Sequence, residues 1–291
     1  MWLHKLRKNK RGISTVIAVV LSLVILVVVV ENVVLWSYQI NQNDWERMHE
    51  SLSLAVTSRS TWFVAQNEYA VNNGSITAGS YLDTQNDDGV FETFTEQNTT
   101  PMILDVNGTF LIDLTKYPLN SIQGFEILIK FQASDLGDLW YLKAYNWTAQ
   151  DYGNSGFNCT TGFAPTTTTG WDYYTVSITN QWTNYVRNDG KVFIKFQDSN
   201  TASTNATVKI DFLGVRAIIA LFSFKNDGPV TSNVVSLWVI NSTIHNHYSV
   251  DYFINSGMNS SFFSADIQLP RGPCTVKAIT ELGNIAMYSM G

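Results

Sequence analysis

The longest apolar run lies near the start of the chain. From Ile13 to Val30 it reads ISTVIAVVLSLVILVVVV, with no charge and only three hydroxyls, Ser14, Thr15 and Ser22. As a helix rising about 1.5 Å per residue, this run spans about 27 Å, close to the thickness of a bilayer core. Beyond Glu31 and Asn32 the pattern turns amphipathic. Val33, Trp36, Ile40, Met48 and Leu52 recur at roughly helical spacing, with Trp45 slightly displaced, and polar or charged residues fill the other face. No Gly or Pro interrupts residues 13–52. The pattern therefore predicts one continuous helix to about residue 50.

From Ser51 the period changes to two. SLSLAVT (51–57), TFLIDL (109–114), GFEILIKFQA (124–133), LWYLKAYNW (139–147), YYTVSIT (173–179), KVFIKFQD (191–198) and ATVKIDFLGVRAI (206–218) alternate, are rich in β-branched and aromatic residues, and are punctuated by Gly, Asn and Asp. STWFVAQNEYAV (60–71) reads as a further strand. Their number and spacing predict a two-sheet antiparallel sandwich. The order of segments from 90 to 218 resembles galactose-binding-like jelly rolls, a layout common in carbohydrate-binding modules, although fold alone does not give function. From Leu221 a smaller unit begins: a strand, an Asn226-Asp227-Gly228-Pro229 turn, and several more strands, which fits a small Ig-like sandwich. The expected organisation is a basic leader (1–12), a long helix (13–50), a jelly-roll-like β-sandwich (51–220) and a small Ig-like β-domain (221–291). The fold class is mainly β with one long N-terminal α-helix.

Charge sharpens the reading of the first segment. Five of the 18 cations, Lys5, Arg7, Lys8, Lys10 and Arg11, precede the apolar run, and the first acid is Glu31. Cations before a span and none directly after it place the N-terminus in the cytoplasm and the body outside. The remainder carries 13 cations against 24 acids, which repels phosphate backbones and argues against nucleic acid as a partner. Charged residues are only 14%, while Asn, Ser and Thr together number 79 of 291, the surface style of many extracellular β-proteins. A secretory signal would have a shorter apolar run followed by a small-residue cleavage site. Here the small residue, Gly12, precedes the run.

That arrangement, KRG followed by ISTVIAVVLSLVILVVV, resembles the class III leader of archaeal type IV pilin-like proteins over about 25 residues. The resemblance implies that a prepilin-peptidase-like membrane protease recognises Lys10, Arg11 and Gly12 and cuts after Gly12, leaving Ile13 as the mature N-terminus. It also implies self-assembly of the helix into a filament. The fifth mature position is Ile17 rather than the Glu of bacterial pilins, which puts assembly in doubt more than processing. A plain uncleaved anchor held in membrane lipid stays open as the other reading.

Candidate chemistry is sparse. Eight N-glycosylation sequons stand at Asn73, Asn98, Asn107, Asn146, Asn158, Asn205, Asn241 and Asn259. DTQNDDGVFE (83–92) packs oxygen ligands before a Gly, as hard cations prefer. Its spacing fails as an EF-hand but allows a looser structural calcium site on Asp83, Asn86, Asp88 and Glu92, with a solvated turn as the alternative. Twelve aromatics crowd residues 140–185. Strand alternation buries half of such residues, yet Trp140, Trp147, Trp171 and Tyr173 are candidates for stacking on a surface glycan. His245 and His247 share a face in an extended segment but lack a third ligand. Cys159 and Cys274 allow one long-range disulfide without requiring it. There is no nucleophile elbow, HExxH, P-loop or dinucleotide fingerprint, so an enzyme is not expected and no cofactor is required. Two functional classes remain: a filament subunit or minor pilin, and a membrane-anchored monomer that binds carbohydrate or mediates adhesion. An anchored glycoside hydrolase is a remote third.

Overall fold

The computed structural model describes residues 3–97, 102–152, 163–198, 205–270 and 272–291, with side chains described from residue 15 onward. The chain is mainly β with one long N-terminal helix. Helix α1 (Leu3–His49) runs for 47 residues, about 70 Å at the usual helical rise. The strands that follow are β1 (Leu52–Arg59), β2 (Phe63–Val64), β3 (Ala70–Asn73), β4 (Ser75–Ala78), β5 (Glu92–Thr95), β6 (Asp105–Leu111), β7 (Ile122–Ala133) and β8 (Trp140–Ala144). The second half supplies β9 (Asp172–Ile178), β10 (Lys191–Asp198), β11 (Thr207–Asn226), β12 (Ser232–Ile240), β13 (His245–Ile254), β14 (Asn259–Phe263), β15 (Cys274–Thr280) and β16 (Ile285–Met290). They form three sheets. The first runs β4-β5-β11-β7-β9, with β1, β2 and β14 also paired to β11. The second runs β3-β6-β10-β8, and the third β13-β12-β15-β16.

The chain divides into two compact units. One takes residues 1–54, 224–260 and 275–289; the other takes 55–223, 261–274 and the last two residues. In the larger unit, the first and second sheets face each other across an apolar core that includes Phe94, Phe110, Phe125, Phe131, Trp140, Phe196 and Val215. The alternation seen in the sequence is the cause. In β10 the residues Val192, Ile194, Phe196 and Asp198 are buried and their neighbours half-buried, as the two-residue period of a strand requires. Strand β11 pairs antiparallel with β7 from Val208 to Ile219, with a bulge between Ile210 and Phe212. The boundary expected at residues 220/221 falls inside this single twenty-residue strand. Residues 261–274 return to the larger unit, where the Ser264 amide donates to the Ala220 carbonyl. Gln123 Nε2 also donates to the carbonyls of Ser264 and Ile267.

In the smaller unit the third sheet packs Val234, Leu237, Val239, Ile254, Val276 and Ala278 into a core. The end of α1 is tied to this unit by polar contacts. Asn284 Nδ2 donates to the Arg47 carbonyl at 2.8 Å, satisfying one of the carbonyls a helix end leaves without an intrahelical partner. The Glu50 carboxylate accepts from Thr280 Oγ1 and Asn284 Nδ2. Asp227 N then donates to Ser51 O. Gly228 sits so close that a Cβ would lie 2.3 Å from the His49 carbonyl oxygen. The helix therefore stops at His49 because pairing begins there, without a Gly or Pro to break it. Upstream, the described side chains of the helix from Thr15 onward are largely uncovered. The apolar side chains from Val16 to Val30 are 43–63% exposed, and Val33, Trp36, Trp45 and Met48 are exposed as well.

Candidate functional site

Three carboxylates converge inside the larger unit: Glu96, Asp138 and Asp198, with ligand-capable oxygens all within 4.8 Å of one another. All three side chains are buried, Asp138 completely. Each stands two residues from a core aromatic, within or just outside a strand, and keeps that residue's inward register. Glu96 follows Phe94, Asp138 precedes Trp140, and Asp198 follows Phe196. Part of their capacity is satisfied. Glu96 Oε2 accepts from the Ala206 amide at 2.8 Å. Asp198 Oδ1 accepts from the Leu104 amide at 2.7 Å. Glu96 Oε1 and Asp198 Oδ2 are buried without a donor. Burial first, and then the neighbouring Asp198 and Asp138, push the Glu96 carboxyl up to about 8. Burial likewise raises Asp198. Buried like charges this close cannot all ionise alone, so the group must hold protons or a cation. An all-oxygen, carboxylate-rich donor set suits a hard divalent ion, calcium above all. The residues present thus fit a structural calcium ion, with Glu96, Asp138 and Asp198 holding it.

The acidic loop expected to hold calcium does not assemble a site of this kind. Among the described residues, Glu96, Asp138 and Asp198 form the one group of three or more acidic, His or Cys ligands close enough to share an ion. Asp83 instead caps a short 3-10 turn, accepting from the Ser80 amide. Asp88 Oδ1 accepts from Val90 N within its own turn, and Asn86 lies in the bend between them. Glu92 points into the interior, with both oxygens buried and lacking a donor. Burial, then the nearby Glu68 and Asp83, raise it to about 7.

The aromatic candidates separate. Trp140 is fully buried and stacks on Phe196 at 4.8 Å, so it has no face to offer a sugar. Trp147 is half-buried against Phe193, with the Arg187 guanidinium over its ring and its Nε1 donating to Tyr185 O. Trp171 and Tyr173 do come together. The Lys130 ammonium lies 5.1 Å from the ring centre of Trp171 and 5.6 Å from that of Tyr173. Lys130 pairs with Asp87 and Asp211. Burial alone would lower its pKa, and the two carboxylates outweigh that and raise it. Tyr173 is 58% exposed, and Phe91 packs against Trp171. This is a half-open aromatic and charged patch on the outer face of the first sheet.

No family model matches the chain, and no curated protein matches it either. Among solved structures, a xylan-binding module is similar at 14% identity and a TM-score of 0.32, over 56% of this chain and 96% of its own. The glycoside hydrolase domain of Endo-D from Streptococcus pneumoniae R6 is 9% identical, with a TM-score of 0.29, over 82% of this chain and 43% of that one. A beta-1,2-glucanase from Parabacteroides distasonis is 8% identical, with a TM-score of 0.30, over 82% and 36%. The chain spans less than half of each hydrolase. Likenesses this distant carry no argument about ligand or activity.

The sequons scatter. Asn146 is buried, its Oδ1 accepting from the amides of Thr148 and Ala149, so it is a turn-former and not a glycan acceptor. Asn73, Asn107, Asn205 and Asn241 are half-buried, and Asn259 is exposed. Asn98 and Asn158 lie outside the described residues, as does Cys159; Cys274 is a buried thiol. The side chains of Lys10, Arg11, Gly12 and Ile13 are outside them too. His245 and His247 pack on Trp238 at 5.0 and 4.6 Å.

Proposed function

We propose that this is a membrane-inserted, pilin-like surface protein whose long helix is an assembly element and whose β-sandwich ectodomain makes contacts outside the cell. The observation that carries the reading is the uncovered helix. A simple anchor needs only about 20 apolar residues. Here Thr15–His49 is one apolar helix whose most apolar stretch has no buried part. Beyond the 18-residue run it still exposes Val33, Val34, Leu35, Trp36, Tyr38, Trp45 and Met48. An apolar surface of that length needs a cover, and lipid covers only the first part of it. Neighbouring copies of the same helix supply the rest. In this reading the N-terminus faces the cytoplasm, a prepilin-peptidase-like protease cuts after Gly12, and the ectodomain carries calcium as a structural ion. No catalytic step belongs to it.

The test replaces Ile13–Val30 with an unrelated span of equal hydrophobicity. A filament subunit loses polymer while remaining in the membrane; an anchored monomer keeps its surface level and its binding. Electron microscopy with an antibody to the ectodomain reads the outcome.

A second reading, a membrane-anchored carbohydrate-binding or adhesion protein, is favoured by one feature: Trp171 and Tyr173 side by side under Lys130. Aromatic faces stack on sugar C–H faces, and nearby charged groups take hydroxyls. Loss of glycan-array binding in a Tyr173→Ala variant supports that reading, and unchanged binding removes it.

A further inference from the structure

A separate cavity lies in the larger unit, away from the acidic centre. It holds about 370 Å³ and is lined by Arg59 at the end of β1, Gln123 on β7, Ile218 on β11, and the segments 179–180 and 268–269. That volume sits at the small end of the range of about 300–1,000 Å³ for ligand pockets. Two backbone features shape it. A Cβ on Gly124 would lie 2.4 Å from the Ile178 carbonyl, so only glycine lets β9 approach β7 and set Thr179 and Asn180 in the wall. On the opposite side, the Gln123 amide holds the 264–267 loop by its carbonyls.

Arg59 is the one charged residue among those lining the cavity, and it belongs to a charged cluster that extends beyond the wall. Glu126 is buried and pairs with two guanidiniums, Arg59 at 3.0 Å and Arg216 at 2.9 Å. Burial alone would raise the Glu126 carboxyl, and the two arginines outweigh it and lower it. The carboxylate is therefore ionised, and among the described ion pairs two cations against one anion leave one positive charge. Arg216 also lies over the Trp62 ring at 4.3 Å, which shares its charge with an aromatic face. Arg59 makes no cation-π contact among the described residues, its side chain is only 17% exposed, and it lines the cavity. Of its five N–H donors, one goes to Ser58 O and one to Glu126.

We propose that this cavity binds a small hydroxylated carboxylate, an acidic monosaccharide such as a uronic acid. The excess positive charge of the Arg59–Glu126–Arg216 cluster, presented at the wall by Arg59 with N–H donors to spare, matches a single carboxylate, the preferred planar partner of a guanidinium. A phosphate dianion would overshoot that charge, and no lysine lines the cavity to balance it. Asn180, Thr179 and Gln268 offer both donors and acceptors at the rim, which suits ring hydroxyls. Ile218 and Leu269 offer an apolar face for ring C–H groups. The inference is independent of polymerisation and of the Trp171–Tyr173 patch.

Titration of the full chain in detergent micelles with D-glucuronate, D-glucose and inorganic phosphate tests it, read by calorimetry at fixed ionic strength. The expected result is saturable glucuronate binding at least about tenfold tighter than glucose, weakened by added salt. Arg59→Gln should remove the preference for glucuronate over glucose. Should that variant not fold, the rim variants Gln268→Ala and Asn180→Ala carry the test, and each should weaken glucuronate severalfold. Tyr173→Ala should leave glucuronate binding unchanged. Absence of binding at millimolar glucuronate, equal binding of glucose, or tighter binding of phosphate overturns the proposal. So do rim variants that bind as well as the parent.

Discussion

Removing calcium at different pH values probes the acidic centre most sharply. In the calcium-free fold, Glu96 moves from an ordinary 4.5 to about 8, first through burial and then through Asp198 and Asp138. Keeping the carboxylates ionised in the fold therefore costs stability relative to the unfolded chain, and the cost belongs to the group, which titrates together. The sign follows from proton counts. Below pH 4.5 both states hold the proton, and between 4.5 and 8 only the folded state does. Stability therefore falls as pH rises through this window, and the loss is complete above 8. Glu92, raised to about 7, acts in the same direction.

A bound divalent ion inverts the behaviour of the cluster, because it requires ionised ligands and gains affinity as protons leave. At a hundredfold excess over Kd it adds about 2.7 kcal/mol, which is about 5–10 °C in Tm for a chain of this size. Calorimetric melting of the full chain in micelles, at pH 5, 6.5 and 8 with chelator or millimolar calcium, reads both effects. The chelated protein should melt progressively lower toward pH 8, and calcium should restore it most at pH 8. Asp198→Asn should lose most of the calcium increment, whereas Glu92→Gln should keep it. Identical melting with chelator and calcium at pH 8, or a full increment in Asp198→Asn, would show that Glu96, Asp138 and Asp198 hold no calcium.

Other outcomes follow from single contacts. Trp140→Ala empties a fully buried position stacked on Phe196 and should cost about 3–5 kcal/mol by chemical denaturation. Asn284→Ala removes both the cap on Arg47 O and a donor to Glu50, and should destabilise by about 1–2 kcal/mol, with faster amide exchange at residues 45–50. N-terminal sequencing of protein from its host should begin at Ile13, and Gly12→Leu should leave Met1 in place; an intact wild-type Met1 contradicts processing.

Much of the fold was legible because each signal was local. The unbroken apolar run predicted α1, and alternation in KVFIKFQD and GFEILIKFQA predicted β10 and β7. The acidic centre is not legible as a motif, since its carboxylates are spread from Glu96 to Asp198 and meet only in the folded sandwich. A signal was present all the same. Asp198 continues the inward set Val192, Ile194 and Phe196, Asp138 precedes Trp140 and Leu142 in the same register, and Glu96 follows Phe94. An acid on the apolar phase of an alternating strand is a buried acid, and three of them demand a counter-charge. The loop 83–92 is dense in oxygens along the sequence, but its acids are spent on turns, on the Asp87–Lys130 ion pair and on the interior position of Glu92. Trp140 shared the aromatic density of its region with Trp171 and Tyr173, and strand phase separated them: it is buried, while Tyr173 faces out. The strand-turn-strand pattern from Leu221 does not show that β11 runs unbroken through residue 220, although no Gly or Pro marks the crossing; the two compact units divide a few residues further on, within the same strand.

If other copies of this chain cover the exposed helix, a photo-crosslinking residue at Trp36 will capture them on intact cells expressing the full chain, because Trp36 is exposed and lies past the apolar span. The expected product is a ladder of dimers and higher multimers crosslinked helix to helix, lost when Ile13–Val30 is exchanged for an unrelated span. Crosslinks to lipid alone, with the chain remaining monomeric, would contradict it.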